Sequence, residues 1–282
     1  MPAKRGPTLR AQMLGSALRR LRASAALKAE EVAVDFGKDQ STISRMELGT
    51  SPPHEEDVVK LMNIYGLDDD SERQAMLRLA RDVYRRGWYD AYGDLFSAPM
   101  IEYSWLESRA VSIRAFGAII VPGLLQTSDY IRALNDAILV SEVERERGVE
   151  ARLLRQQVLT REAPVRYEAV LDEMALRRQV GGCDAMARQL SLLIEHAQRP
   201  NVTLLVLPFE VGAHASTDGA FDLFEMPSPY PEIGCASTPA GVVYVETERL
   251  DAMTTAYDRL RSRALDVKES TAFMKAVAKE LT

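Results

Sequence analysis

Between Leu9 and Leu27, apolar residues recur at Leu9, Met13, Leu14, Ala17, Leu18, Leu21 and Ala25. Steps of three and four put them on one face of a helix and leave the arginines on the other faces. A second short helix reads from Ala29 to Phe36, with Val32 and Ala33 turned inward, and Gly37 supplies a sharp turn. A third starts at Asp39, whose carboxylate caps it, and runs to Leu48 with Ile43 and Met46 facing the core. Gly49 ends it, and Pro52-Pro53 prevents resumption. A fourth runs from Glu55 to Tyr65 with acidic residues in its first turn, where the helix dipole favours them.

The rest of the chain alternates helical and strand patterns. Leu67-Asp68-Asp69-Asp70-Ser71 opens a helix over 72–86, and Gly87-Trp88-Tyr89-Asp90-Ala91-Tyr92-Gly93 reads as a packed aromatic hinge. Val111 to Val121 suits a strand or a buried segment. Helices are predicted over 127–138 and 142–161, the second opened by the capping box Ser141-Glu142-Val143-Glu144. Val165–Leu171 alternates as a strand, Asp184 caps a helix reaching Gln198, and Asn201–Pro208 is an apolar strand. Ala220–Met226, Ile233–Cys235 and Val242–Glu246 are further strands, followed by helices over 248–266 and 270–281. The pattern predicts a mainly α N-terminal helix-turn-helix bundle followed by an α+β C-terminal domain. The boundaries are 1–66 for the bundle, 67–104 for a helical and aromatic connector, and 105–282 for a sensory or partner-binding domain.

Short helix, glycine turn, short helix is the geometry that lets the second helix enter a major groove. The third helix carries Gln40, Ser41, Thr42, Ser44 and Arg45 on its polar side. Gln matches adenine in a bidentate pair, Arg matches guanine, and Ser or Thr meets bases or phosphates. This assigns base reading to Gln40, Thr42, Ser44 and Arg45, and phosphate positioning to Arg19, Arg20, Lys38 and Ser41. A bundle used only for protein contacts is the blander alternative.

The stretch Gln40-Ser41-Thr42-Ile43-Ser44-Arg45-Met46-Glu47-Leu48-Gly49 resembles the recognition helix of Xre/Cro-repressor regulators, whose usual form is S-x-I-S-x-x-E-x-G. Leu27-Lys28-Ala29-Glu30-Glu31-Val32-Ala33 resembles their second helix, with Lys28 in place of a Ser cap and Ala29 in place of a Gln. The resemblance implies a phosphate contact at most for Lys28, no base contact at Ala29, and a supporting role for Glu47. Further on, Val121-Pro122-Gly123-Leu124-Leu125-Gln126-Thr127, Leu171-Asp172-Glu173 with Leu176-Arg177-Arg178, Asn201-Val202-Thr203 to Phe209, and Gly212-Ala213-His214 with Gly219-Ala220-Phe221 occur in that order. These phrases resemble the DUF5753 domain of actinobacterial regulators, also called Scr1-family antitoxin-like. That resemblance implies a small DUF397-type partner protein.

Of three histidines, only His214 sits in a suggestive loop, near Ser216 and Asp218. A hydrolytic triad needs those groups aligned beside an oxyanion hole, and residues two apart on one loop rarely align so. No G-x-S-x-G, phosphate-binding loop, H-E-x-x-H or dinucleotide fingerprint is present. The expectation is therefore not an enzyme, with no cofactor and no catalytic residue. The loop is either a ligand or partner surface or a plain strand connection. Arg177, Arg178 and Glu173 are either pocket-lining or ordinary helix-exterior charges.

Composition adds four points. Of 282 residues, 46% are hydrophobic and 27% charged, enough to bury a core. Cys183 and Cys235 sit in no C-x-x-C pair, which predicts no disulfide framework, no zinc site and a cytoplasmic setting. No apolar run approaches the ~18 residues that a membrane span needs, and the start of the chain lacks the apolar core of a secretory signal. The net charge of −6 is uneven: residues 1–53 hold nine basic and five acidic side chains, +4, leaving −10 for the rest. The basic head comprises Lys4, Arg5, Arg10, Arg19, Arg20 and Arg22 with no acid before Ser24. Such asymmetry suits one domain on phosphates and another away from them. One short recognition helix specifies little, so a homodimer on a pseudo-palindromic double-stranded DNA operator is expected. An antitoxin-like protein that sequesters a small partner, with DNA binding secondary, is the competing reading.

Overall fold

A computed structural model describes residues 6–139, 141–238, 241–246 and 248–281. The chain divides into two compact units, residues 1–102 with 227–230, and residues 103–226 with 231–282.

The first unit is helical: α1 Leu9–Ser24, α2 Ala29–Phe36, α3 Gln40–Glu47, α4 Glu55–Ile64 and α5 Asp70–Tyr84. The apolar stripe of α1 is buried as its spacing dictates, with Leu14 and Leu18 fully covered. They meet Val32, Ile43, Met46, Val58, Leu61 and Met62 in one core. Burying Ile43 alone contributes about 2–3 kcal/mol. Met76, Leu79 and Ala80 of α5 enter the same core, so part of the stretch read from sequence as a connector packs as a bundle helix. A 3-10 turn at Trp88–Tyr92 follows, and α6, Ala98–Arg109, begins at the end of this unit.

The second unit holds a six-stranded mixed sheet in the order β3-β2-β1-β4-β5-β6. Its strands are β1 Ser112–Gly117, β2 Arg166–Asp172, β3 Val202–Leu207, β4 Phe221–Glu225, β5 Ile233–Thr238 and β6 Gly241–Val245. The first three run parallel, as helical connections require, and the last three are antiparallel. Helices α7 Ser128–Ile138 and α8 Glu142–Gln156 link β1 to β2, while α9 Glu173–Arg177 and α10 Gly182–His196 link β2 to β3. The chain closes with α11 Glu248–Arg263 and α12 Val267–Glu280. On one face, Leu250, Tyr257 and Leu260 of α11 cover Phe116, Val170, Leu205 and Phe221. The edge of β3 is not left open: the Val206 amide donates to Ser270 Oγ at 2.9 Å, and its carbonyl accepts from the Leu265 amide at 2.8 Å.

Several boundaries differ from the sequence pattern for identifiable reasons. The helix α6 has no clean amphipathic period because it buries Ile101, Glu102, Ser104, Trp105, Leu106 and Glu107 together. The short α9 carries too few residues for a period to show. Asp184 does not cap α10; Gly181, at φ +77°, is the N-cap and Asp184 stands in the first turn. Asp266, not a residue near 270, caps α12 and starts it three residues early. The Ser141–Glu144 capping box is present, with Glu144 N donating to Ser141 Oγ at 3.2 Å and Ser141 N to Glu144 Oε2 at 3.1 Å.

Candidate nucleic-acid interface

The turn between α2 and α3 is built as its residues require. Gly37 adopts φ +76°, which costs a glycine little, and the Lys38 amide returns to the Ala33 carbonyl at 3.0 Å. Asp39 caps α3, accepting from the Thr42 amide at 2.7 Å. At its far end Gly49 turns the chain at φ +70°. Ile43 and Met46 anchor the inner face, so Gln40, Ser41 and Arg45 are exposed and Thr42 and Ser44 half-buried. One face of α3 is thus polar and open.

That face is internally organised. The guanidinium of Arg45 donates to Ser41 Oγ and to Thr42 Oγ1, both at 2.8 Å. Both hydroxyls in turn donate to Asp39 Oδ1, Thr42 at 3.1 Å. The Ser41 hydroxyl bond and then the Thr42 amide bond hold the Asp39 carboxyl below its ordinary range, so it stays charged. Arg45 is therefore braced along the surface of α3 by Ser41 and Thr42. The spacing of Ser41, Thr42 and Arg45 at i, i+1 and i+4 contained that signal.

One ion pair and one close backbone contact fix α3 on the bundle. Arg22 grips Glu47 with Nε and NH2 at 2.6 and 2.8 Å and donates NH1 to the Leu27 carbonyl at 2.9 Å. Its hydrogen bonds to Glu47 raise the Arg22 pKa further, so the guanidinium stays charged. Gly15 lets α1 and α3 touch: a Cβ there would lie 2.4 Å from the Glu47 carbonyl oxygen. Lys28 precedes α2 as its N-cap; its side chain caps nothing, and Glu31 Oε2 accepts its amide at 2.6 Å.

The basic head is smaller than the sequence suggests. Lys4 and Arg5 lie outside the described residues. Arg10 is buried against Glu102, NH2 to Oε1 at 2.8 Å, and also donates to the carbonyls of Asp82 and Arg85. Arg22 is spent on Glu47. Arg19, Arg20, Lys28 and Lys38 remain exposed. Sequence reasoning gave Glu47 a supporting role but missed that Arg22, 25 residues away, is its partner, and it missed Glu102, 92 residues from Arg10.

In the second unit, His214 Nε2 lies 3.8 Å from Asp172 Oδ2, and its ring stands edge-on to Phe116. The Ser216 amide donates to His214 Nδ1 at 3.3 Å, but its hydroxyl donates to the Gly219 carbonyl at 2.7 Å. Arg263 pins the loop through the carbonyls of Val211 and Ala213. Asp218 is exposed. Arg177 is held by Glu173 and Glu280, tying α9 to α12, and Arg178 reaches Met174 Sδ at 3.9 Å. Of the five residues, His214 and Ser216 are joined by a hydrogen bond, whereas Arg177 and Arg178 each have other partners and Asp218 is exposed. Among the described residues, no group of His, Cys, Asp and Glu is arranged to hold a metal, and no helix is long and apolar enough to cross a membrane.

A family described as "Helix-turn-helix domain" matches residues 13–76, and one described as "Domain of unknown function (DUF5753)" matches residues 101–276. No curated protein and no solved structure matches the chain.

Proposed function

From the premise that the chain belongs to the DUF5753 family and carries a helix-turn-helix domain ahead of that region, we propose that it is a sequence-specific DNA-binding transcriptional regulator. The observation that carries this reading is the open polar face of α3, on which Ser41 and Thr42 brace the Arg45 guanidinium. A guanidinium fixed in its fork geometry before binding loses less entropy when it meets guanine O6 and N7. Gln40 and Ser44 flank it as further base readers, with Thr42 acting both on bases and on Arg45. Arg19, Arg20, Lys38 and Ser41 position phosphates, and Lys28 adds at most one such contact. The bundle is of Xre/Cro type on its α3 residues.

The protein acts in the cytoplasm as a homodimer, because a single eight-residue helix spans too few base pairs for a unique operator. Its second unit binds a small partner protein of the DUF397 type or a small ligand, and it is not an enzyme. The Ser216 hydroxyl, turned to Gly219 rather than to His214, supports the non-catalytic reading of that loop.

Footprinting upstream of the protein's own gene tests the reading. Two protected half-sites about one helical turn apart, ~34–36 Å, are expected. One isolated protected patch would overturn the dimer, and no protection anywhere would overturn the DNA reading.

A further inference from the structure

On the sheet face that α11 packs against, the strands change from apolar to polar in one direction. Phe116, Val170 and Leu205 lie under α11. Two residues earlier on the same strands, and so on the same face, stand Arg114, Glu168 and Thr203, in register with one another. Two earlier again are Ser112 and Arg166, with Glu225 of β4 opposite Ser112. An apolar helix face cannot cover such a floor without desolvating its charges. This polar half of the face lines a cavity of about 390 Å³ within the second unit, walled by Pro200 and Asn201 on the β3 side and by Glu232 on the β5 side.

The charges of this cavity do not all satisfy one another. Arg166 pairs with Glu225 at 2.9 Å, across Ser112 of the strand between them. Glu168 is taken from α11: Arg261 Nε donates to its Oε1 at 2.9 Å, and the Tyr257 hydroxyl at 3.2 Å. Arg114, beside Glu168 in the sheet, is thereby left without that acid. Among the described residues it makes no hydrogen bond, and its ion pair is a long one, NH1 to Asp258 Oδ1 at 3.7 Å. Its guanidinium stands 5.5 Å from the centroid of the Tyr257 ring, with 30% of the side chain exposed. Glu232 is exposed and has neither hydrogen bond nor ion pair among the described residues. The hydroxyls of Ser112 and Thr203 likewise have no partner there.

We propose that this cavity binds a small zwitterion whose carboxylate and ammonium are joined by a short chain, as in an ω-amino acid or a short peptide. Arg114 takes the carboxylate in its planar fork, with the Ser112 and Thr203 hydroxyls as further donors, and Glu232 takes the ammonium. The unmatched charges select that class. A plain anion would gain Arg114 but meet Glu232, and a plain cation would meet the reverse. With β4 between their strands, the backbones of Arg114 and Glu232 stand about 10 Å apart across the sheet, which favours separated charges over an α-amino acid. The cavity has the volume of a small-ligand site, and its polar lining suits a polar occupant. The inference rests on the reading that the second unit takes a ligand, not on DNA binding, and its test contains no DNA.

The test is isothermal titration calorimetry of the full chain with ε-aminocaproate and with triglycine, against caproate, hexylammonium and glycine. One of the first two is expected to bind about tenfold or more tighter than caproate or hexylammonium, and which of them does so tells an ω-amino acid from a peptide. Glycine binds more weakly than either. Glu232→Gln, a change at an exposed side chain without partners, leaves the melting temperature unchanged and brings the zwitterion down to the affinity of caproate. Arg114→Gln brings it down to that of hexylammonium. Caproate or hexylammonium bound as tightly as the zwitterion would overturn the proposal and leave the ligand reading of the unit standing. Full affinity surviving in Glu232→Gln would overturn it in the same way. No binding by any of these compounds would overturn it and remove this cavity from the ligand reading altogether.

Discussion

Replacing Gly15 by Ala pits two opposite expectations against each other. Gly15 lies in the middle of α1, where glycine costs about 1 kcal/mol relative to alanine, so propensity alone makes the change stabilising. The packing says otherwise. A Cβ at Gly15 would stand 2.4 Å from the Glu47 carbonyl oxygen, 2.7 Å from its carbon and 2.8 Å from the Met46 carbonyl oxygen. Ordinary contact begins at 3.4 Å, so α1 and α3 must separate by about 1 Å. All three atoms are backbone, and no side chain can swing aside. Overpacking of this kind costs about 3 kcal/mol, which less the propensity gain leaves a net loss of about 2 kcal/mol. For a bundle of this size that is a fall in melting temperature of about 8–15 °C. The displacement also moves α3, so operator affinity falls further than the unfolded fraction accounts for. Calorimetry on Gly15→Ala, with Ser16→Ala as the neighbouring control, measures the first effect, and DNA titration well below the melting point measures the second. A Gly15→Ala protein as stable as the original would refute the argument that α3 is seated by direct backbone contact.

Other expectations follow from particular contacts. Glu47→Ala strands a largely buried Arg22 guanidinium and is expected to cost about 3 kcal/mol by chemical denaturation, whereas Arg22→Met/Glu47→Leu together cost far less; equal losses would mean that the pair is not coupled. Arg45→Ala is expected to cost about 1–3 kcal/mol on the operator and little on random DNA, while Arg20→Ala weakens both duplexes alike and lowers the salt slope. The Asp222 carboxyl titrates near 7 in the folded chain and near its ordinary low value when unfolded, so the folded state binds the extra proton between those limits. Stability of the second unit therefore falls as pH rises from about 4 to 7, and Asp222→Asn flattens that slope in pH-resolved melting; an unchanged slope would assign it to other groups.

The helices of the first unit were legible because each carries its own punctuation: Asp39 before α3, Gly37 and Gly49 after α2 and α3, and apolar residues three and four apart in between. The open face of α3 was legible for the same reason, since the positions opposite Ile43 and Met46 are polar. What escaped depends on partners distant in sequence. Arg10 and Arg22 look like part of a basic surface until Glu102 and Glu47 are brought to them. The helix α6 lacks a period because buried acids interrupt its apolar positions, and those acids have meaning only beside Arg10 and Arg155. In the second unit, the strands showed as apolar runs between Pro and Gly turns, but their order in the sheet did not. The glycine-bounded loop drew notice to His214, but the hydrogen bond that turns Ser216 away to Gly219 could not be read from the sequence.

If α3 reads DNA, Gln40 and Arg45 carry the preference for one sequence over another. The decisive measurement is a titration of the protein, at several salt concentrations, against DNA upstream of its own gene and a random duplex, alongside Gln40→Ala/Arg45→Ala. A preference for the upstream DNA of about a thousandfold or more is expected, with affinity for both duplexes falling with salt and the preference lost in the double variant. Equal affinity for the two duplexes at every salt, or a preference that survives the double substitution, would contradict it.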